Sequence, residues 1–149
     1  MVKPATPKNI VFYADDDTDD LELVQEAFGR YTNDVEVVTA RDGAQALSYL
    51  QSLNHEYTSA PCLIILDINM PLLNGKDVLL KIKDIPPLVS VPVVLFTTSS
   101  SALDKEFAKK YNAGFITKPL DVSQMEIITG LFIDHCSDEV KRKISKRFK

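Results

Sequence analysis

The sequence is poor in cysteine and histidine, with two of each among its 149 residues. Two cysteines are too few for a disulfide framework or a zinc site, and we expect Cys62 and Cys136 to be core residues. No apolar stretch reaches the ~20 residues that a membrane-spanning helix needs, and the first residues lack the apolar core of a signal peptide. We therefore expect a cytoplasmic protein without a membrane partner.

Acidic residues outnumber basic ones in residues 1–136 taken together, whereas basic residues are in excess in the last thirteen residues. Residues 137–149 carry a formal charge of +4, whereas the rest of the chain carries −8, which gives the net charge of −4. An acidic body argues against nucleic acid as the main ligand, and we predict none. Within the basic segment Val140, Ile144 and Phe148 recur every fourth residue. This spacing predicts a solvated extension of the last helix or, alternatively, a helix for docking or self-association.

Apolar segments of two kinds alternate along the chain. Short runs typical of buried strands are each followed by a segment with apolar residues at helical spacing. This alternation predicts a parallel sheet covered by helices on both faces. Five such units match a flavodoxin-like, doubly wound α/β fold with strand order 2-1-3-4-5 and five helices. The predicted strands are residues 10–14, 35–39, 63–66, 93–96 and 115–117, and the predicted helices are residues 19–29, 43–53, 75–83, 102–111 and 122–136.

The chain length suits a single domain, which we place at residues 9–136. Residues 1–8 include two prolines and are predicted to be a disordered lead, and residues 137–149 are predicted to be a basic helical extension or tail. Within the domain, Ser101 and Asp104 have the spacing of a capping box at the start of the fourth helix.

Four of the predicted strands end in charged or hydroxyl side chains. Strand 1 ends in Asp15 and Asp16, strand 3 in Asp67, strand 4 in Thr97 and strand 5 in Lys118. Ligands of open α/β sheets bind at the carboxyl ends of the strands. We therefore expect these side chains to form one acidic pocket that contains a lysine.

An acidic pocket of this kind requires a cation. Neighbouring carboxylates raise each other's pKa, and a bound divalent ion reverses that effect. Mg²⁺ suits the pocket because it accepts one or two carboxylates, keeps several waters and binds phosphate oxygens. Asp17, Asp19 and Asp20 come next in the chain, and we interpret them as solvated acids at a helix start rather than as ligands of the ion.

The combination of carboxylates with a lysine suits phosphoryl transfer. A carboxylate can accept a phosphoryl group from an activated donor and hold it as an aspartyl phosphate. The transfer needs in-line placement and neutralisation of the equatorial oxygens, which Mg²⁺ and Lys118 would provide. The Thr97 hydroxyl can donate a hydrogen bond to the group once it arrives. Asp67 is the predicted acceptor because it follows its strand without a second carboxylate beside it.

These motifs together resemble the receiver domain of two-component response regulators. The resemblance covers residues 9–136, with every motif in the family's order and spacing. The long proline-bearing segment before strand 4 and the sequence TKPLD resemble the stand-alone receivers, some of which serve phytochrome-type kinases. The matching stretches are VFYADDD (11–17), ARDGAQAL (40–47), LIILDINMPLLNG (63–75), VPVVLFTTSS (91–100) and FITKPLD (115–121).

The resemblance implies a role for the residues of the pocket. Asp67 would accept the phosphoryl group from the phosphohistidine of a sensor histidine kinase. Mg²⁺ would bind to Asp15, Asp16, Asp67 and the backbone carbonyl of Asn69.

The resemblance also implies a conformational switch beside the pocket. Thr97 and Phe115 match the switch pair, in which the hydroxyl moves onto the phosphoryl group and the ring turns inward. Lys118 matches the lysine that contacts the phosphate, and its bond to Pro119 is cis in the family. Asn69 and Ser99 occupy the positions that tune hydrolysis of the phosphoryl group.

Three functions follow from this reading. The leading hypothesis is a signalling module of the phosphorelay type, which is not a turnover enzyme. Its output would be partner binding, or pairing into a homodimer, through the face of helix 4, strand 5 and helix 5. The alternatives are a Mg²⁺-dependent phosphatase of the haloacid-dehalogenase type, and a degenerate receiver that only binds partners.

Overall fold

Five parallel strands form one sheet in the order 2-1-3-4-5, which confirms the predicted flavodoxin-like topology. The computed structural model describes residues 9–54 and 60–144. The predicted lead at residues 1–8 and the last residues of the basic segment, with Phe148, lie outside the described residues. The strands are β1 (Asn9–Ala14), β2 (Val35–Ala40), β3 (Leu63–Leu66), β4 (Val93–Thr97) and β5 (Gly114–Thr117).

Helices cover both faces of this sheet, and the first four start within one residue of their predicted positions. The last predicted helix is divided, because a short 3-10 turn at Val122–Gln124 precedes its α-helical part. A second 3-10 turn lies in the segment before β4, at Pro86–Leu88. The α-helices are α1 (Thr18–Tyr31), α2 (Gly43–Ser52), α3 (Gly75–Ile82), α4 (Ala102–Lys110), α5 (Met125–Asp134) and α6 (Asp138–Lys143).

The strand side chains on both faces of the sheet are apolar, because each face of the sheet has its own core. On the face covered by α1 and α5, Tyr13 and Phe96 pack with Phe132. On the opposite face, Phe12 packs with residues of α2 and α3, such as Leu50. Successive strand residues point to opposite faces, and a strand that is buried on both faces therefore has no polar alternation.

Polar side chains fix the starts of several helices. Asp17 is the N-cap of α1, and its Oδ1 accepts hydrogen bonds from the backbone N–H groups of Asp19 and Asp20. The predicted capping box at α4 is wrong, because within the described chain the Ser101 side chain makes no capping hydrogen bond. The partner expected for it, Asp104, is instead engaged by Lys76 and by a neighbouring serine.

The start of the basic segment does not extend α5. The backbone turns after α5, and Ser137 caps the new helix α6 by accepting a hydrogen bond from the Val140 N–H. Ile144 is buried and Val140 packs against the core beneath α1 and α5. The interpretation of these two residues as part of a solvated extension was therefore wrong.

A helix that crosses a membrane must be both long and apolar. None of the helices in the described part of the chain combines the length and the apolar character needed to cross a membrane.

Candidate functional site

The two central strands bring two buried carboxylates side by side. Ala14 and Leu66, the last residues of β1 and β3, are neighbours in the sheet, so Asp15 and Asp67 leave it together. The backbone N–H of Asp67 donates to the Ala14 carbonyl at 2.9 Å. Asp15 and Asp67 are buried, whereas Asp16 is exposed. One carboxylate oxygen from each of these three acids lies within 4.8 Å of the others.

Lys118 completes this group from the end of β5. Its Nζ lies 2.7 Å from Asp15 Oδ2 and 3.2 Å from Asp67 Oδ2. The side chain is only 10% exposed, and Nζ lies 5.8 Å from the centroid of the Phe96 ring. The Lys118 backbone is fixed as well, because its N–H donates to the Thr97 carbonyl at 2.8 Å. The expected convergence of the two buried acids and the lysine is present in the structure.

Asp20 belongs to the same group, and its interpretation as a solvated acid was wrong. Its Oδ2 lies 2.8 Å from Lys118 Nζ, and its side chain is 29% exposed. An ammonium group has three N–H donors, and Lys118 directs them at Asp15, Asp20 and Asp67. The sequence signal for this contact is an acid in the first turn of the helix that follows the acidic pair.

Tyr13 is a second residue of the site that the sequence analysis missed. Its hydroxyl donates a hydrogen bond to Asp15 Oδ2, and its side chain is completely buried. Residues two apart on a strand point to the same face, so a tyrosine two positions before the acid was the available signal. Asp15 Oδ1 accepts a further hydrogen bond from the Asp17 N–H at 2.9 Å, so both oxygens of Asp15 are held.

Burial and the neighbouring charges shift the pKa values of Asp67 and Lys118. Burial, together with the negative charge of Asp15, raises the pKa of Asp67 to about 6, although Lys118 and the Asn69 N–H oppose the shift. For Lys118, burial lowers the pKa, but the hydrogen bonds to Asp15 and Asp20 outweigh it, and the pKa lies above its usual value. The lysine is therefore a fixed positive charge at neutral pH.

The predicted switch residues belong to the next two strands of the sheet, Thr97 to β4 and Phe115 to β5. Thr97 is buried, and its Oγ1 accepts hydrogen bonds from the Ser99 N–H at 3.2 Å and from Asn69 Nδ2 at 3.5 Å. Phe115 is half-buried and packs against the core on the α2 and α3 side of the sheet. Asn69 itself is exposed, and its N–H donates to Asp67 Oδ1 at 3.2 Å.

The bond between Lys118 and Pro119 differs from the expectation. No peptide bond among the described residues is cis, so the expected cis isomer is not found. The trans isomer is favoured by ~0.5–1 kcal/mol before proline unless the surroundings impose the other. In the structure the Lys118–Pro119 bond is trans, and Lys118 Nζ still contacts Asp15. This contact therefore does not require the cis isomer.

The loop after Asp67 is held close to its strand. A Cβ atom on Gly75 would lie 2.3 Å from the Asp67 carbonyl oxygen, so only glycine fits where α3 starts. The same loop contains Leu72, which has a φ of 66° and a fully exposed side chain. Such a backbone conformation is uncommon outside glycine, asparagine and aspartate and often marks functional loops.

Comparison with known proteins shows a match to one protein family over most of the chain. The family model described as the response regulator receiver domain matches residues 11–129. Response regulator Rcp1 of Synechocystis sp. (strain ATCC 27184 / PCC 6803 / Kazusa) is 37% identical over 105 residues, which cover 70% of this chain and 71% of Rcp1.

Two crystal structures are similar to the chain over most of its length. The phosphorylated cyanobacterial phytochrome response regulator RcpA has a TM-score of 0.73 and 38% identity, and the match covers 83% of this chain and 91% of RcpA. The Mn(2+)-bound form of response regulator Rcp1 has a TM-score of 0.72 and 32% identity, with coverage of 83% and 91%.

Proposed function

The chain belongs to the response regulator receiver domain family and has a role in phosphorelay signalling, and we propose that Asp67 is its phosphoryl acceptor. The observation that carries this proposal is the convergence of Lys118 Nζ on the carboxylates of Asp15 and Asp67, at 2.7 and 3.2 Å. Asp67 lies at the centre of the group because β3 lies between β1 and β4 in the sheet.

The proposed reaction moves one phosphoryl group onto Asp67. A carboxylate oxygen of Asp67 attacks the phosphorus of a phosphohistidine, the new O–P bond forms as the N–P bond breaks, and the leaving imidazole keeps the electron pair. With a pKa of about 6, Asp67 is largely ionised at pH 7 and above and is therefore competent to attack. Lys118 neutralises negative charge on the phosphoryl oxygens, which is the main requirement of such a transfer.

We propose that Asp15, Asp16 and Asp67 hold a divalent cation, with the backbone carbonyl of Asn69 as a further ligand. Carboxylate oxygens are hard donors that suit Mg²⁺ and Mn²⁺, and one oxygen from each acid lies within 4.8 Å of the others. The similar protein Rcp1 has a Mn(2+)-bound form. Mg²⁺ is the proposed ion in this chain, and when bound it supplies positive charge to the phosphoryl oxygens.

We propose that Thr97 and Phe115 report the phosphoryl group to the surface. Leu95 and Phe115 are neighbours in the sheet, and Thr97 follows Leu95 by two residues, so these side chains lie on one face of the sheet. The Thr97 hydroxyl would turn to the phosphoryl group and Phe115 would move further into the core. Asn69 and Ser99 are the residues proposed to tune its hydrolysis.

The proposed phosphoryl donor is a sensor histidine kinase of the phytochrome type, in the cytoplasm. The similarity to RcpA, which is a phytochrome response regulator, supports this choice. The proposed output is binding of a partner protein, or a homodimer, through α4, β5 and α5. Large apolar side chains are exposed on these helices, at Leu103, Ile127 and Leu131, and they support a contact surface there.

The phosphatase alternative is not supported. A haloacid-dehalogenase-type site needs an acidic pair on a strand after the lysine. The pair in this chain, Asp15 and Asp16, follows β1, and β5, which leads to Lys118, is the last strand of the described sheet.

The function can be tested with acetyl phosphate and Mg²⁺. Intact-mass spectrometry is expected to show the addition of one phosphoryl group to the wild-type chain and none to Asp67→Asn. Asp84→Asn, which removes an exposed carboxylate in the turn after α3, is the matched control and should be modified like the wild type. Continuous release of phosphate from a small phosphomonoester, or labelling of Asp67→Asn, would contradict the proposal.

A further inference from the structure

Three carboxylates compete for one ammonium group at this site. Lys118 Nζ lies 2.7 Å from Asp15 Oδ2, 2.8 Å from Asp20 Oδ2 and 3.2 Å from Asp67 Oδ2. Of these three acceptors, Asp15 and Asp67 are also proposed ligands of the cation. Asp20 alone is neither a proposed metal ligand nor the phosphoryl acceptor, so its contact with Lys118 requires a separate explanation.

The position of Asp20 follows from the start of α1. Asp17 caps the helix and accepts a hydrogen bond from the Asp20 N–H at 3.2 Å, which fixes the first turn. The Asp20 side chain is thereby directed at Lys118 rather than into solvent, with 29% of its surface exposed. Asp19, which precedes it in the same turn, is exposed.

The charge balance shows what Asp20 does to an incoming anion. Without Asp20, the charges of Asp15, Asp16 and Asp67 are balanced by Lys118 and one divalent cation. Asp20 adds one negative charge to this balanced group. A phosphoryl group brings more negative charge to Asp67, so Asp20 opposes its capture both by repulsion and by holding the ammonium that the phosphoryl oxygens need.

Asp20 could instead favour phosphorylation by placing Lys118 correctly, but other contacts already do so. The Lys118 backbone is fixed by its 2.8 Å hydrogen bond to the Thr97 carbonyl. Its Nζ is held at 2.7 Å by Asp15 and lies over the Phe96 ring. Because these contacts do not depend on Asp20, the charge of Asp20 is the larger effect.

We propose that Asp20, through its negative charge, competes with the phosphoryl oxygens for the Lys118 ammonium and thereby weakens capture of the phosphoryl group, while the same charge strengthens binding of the divalent cation. This inference rests on the proposed function of Asp67. It assigns to one side chain of α1 the control of how readily the site accepts and keeps a phosphoryl group.

The variant Asp20→Asn tests this directly, because an amide keeps the shape and an acceptor oxygen but removes the charge. Two affinities are measured by calorimetry: that for Mg²⁺ alone, and that for beryllofluoride, a mimic of the phosphoryl group, at saturating Mg²⁺. We expect beryllofluoride to bind about fivefold more tightly and Mg²⁺ about fivefold more weakly, the size expected for one partly exposed ion pair. A purely structural role of Asp20 would weaken both.

Two further variants control this experiment. Asp19→Asn removes the same charge from the same turn of α1 without a contact to Lys118 in the described structure, and its two affinities are expected to stay within about twofold of wild type. Asp20→Glu restores the charge at a side chain with similar reach and is expected to return both affinities toward wild type. If Asp20→Glu behaves like Asp20→Asn, the charge is not the cause and the inference is wrong.

The failure of this inference is distinguishable from failure of the proposed function. If the wild-type chain with Mg²⁺ does not bind beryllofluoride, the assignment of Asp67 is wrong. If the wild type binds it and Asp20→Asn binds it equally or more weakly, only the role of Asp20 is overturned.

Discussion

The Ser99 hydroxyl donates a hydrogen bond to Asp104 Oδ2 at 2.7 Å, which ties the loop after β4 to the first turn of α4. Lys76 of α3 forms an ion pair with the other oxygen of Asp104. The Ser99 N–H in turn donates to Thr97 Oγ1 at 3.2 Å. The proposed switch hydroxyl is therefore connected to α3 and α4 through a short chain of polar contacts, and a movement of Thr97 toward Asp67 would strain that chain.

Loss of the Asp104 carboxylate should loosen this connection. The hydrogen bonds from Lys76 and Ser99 hold the pKa of Asp104 below its usual value, so the stability it contributes is present at neutral pH and lost as the pH falls through the carboxyl range. We expect Asp104→Asn to lower the free energy of unfolding by about 1 kcal/mol at pH 7, and by less near pH 3. Urea denaturation at the two pH values measures this.

The control for that experiment is a double-mutant cycle with Lys76→Met. The effects of two residues in direct contact are not additive, so the double variant should be less destabilised than the sum of the single variants. Additive effects would show that the ion pair contributes nothing to stability in solution.

Asp67→Asn should stabilise the metal-free protein at neutral pH. Burial and the charge of Asp15 raise the pKa of Asp67 to about 6, so ionisation disfavours the folded state. The contribution of Asp67 to the free energy of unfolding of the wild type is therefore present at low pH, and it is lost as the pH rises through about 6. We expect Asp67→Asn to raise the free energy of unfolding by roughly 1 kcal/mol at pH 7.5 in the presence of a chelator, and the gain to disappear by pH 4.

Thermal denaturation over this pH range checks the prediction for Asp67. A variant that is less stable than the wild type at pH 7.5 would show that the contact with Lys118 outweighs the burial of the charge.

Tyr13→Phe should lower the free energy of unfolding, because Tyr13 contacts a buried carboxylate of the site. The change removes the hydroxyl that donates to buried Asp15 but keeps the ring that packs against Phe96. Loss of a hydrogen bond to a charged group lowers the free energy of unfolding by about 1.5–3 kcal/mol. The matched control is Tyr49→Phe, which removes a hydroxyl from a ring that stacks on Phe12 on the opposite face. An equal effect in both variants would contradict a specific role for the contact with Asp15.

Mg²⁺ should raise the melting temperature, and Asp16 should control the size of the increase. A ligand at ten times its dissociation constant stabilises the folded state by about 1.4 kcal/mol. Asp16 is exposed, so Asp16→Asn should leave the metal-free melting temperature nearly unchanged while it removes most of the increase with Mg²⁺. An undiminished increase would remove Asp16 from the proposed ligands.

The residues at strand ends could be predicted from the sequence, because the topology alone places them. Asp15, Asp67 and Lys118 follow apolar runs, and the carboxyl ends of parallel strands lie on one edge whatever the details of packing. The alternation of buried runs and helical segments predicted a parallel sheet covered on both faces, and the strand order followed from the match of its five units to the flavodoxin-like type.

The contacts of Asp20 and Tyr13 were not predictable in this way. Apolar periodicity indicates which side of α1 faces the core but does not fix the direction of a first-turn side chain, so Asp20 could equally have been solvated. Tyr13 fits an apolar strand by its ring, and only the structure shows where its hydroxyl goes. The Ser101 capping box failed for a related reason, because Lys76 and Ser99 offer Asp104 stronger partners than the backbone does.

The sheet order also separates the residues of the proposed reaction from the proposed switch residue Phe115. Asp15 and Asp67 follow interior strands, each clamped by hydrogen bonds along both sides, whereas Phe115 belongs to β5, the outermost strand on its side. An interior strand resists displacement far more than a border strand does. Substitutions on the outermost strand can therefore change which proteins receive the signal without disturbing the interior strands that carry the proposed reaction. The same fold can in this way acquire new partners while the reaction stays the same.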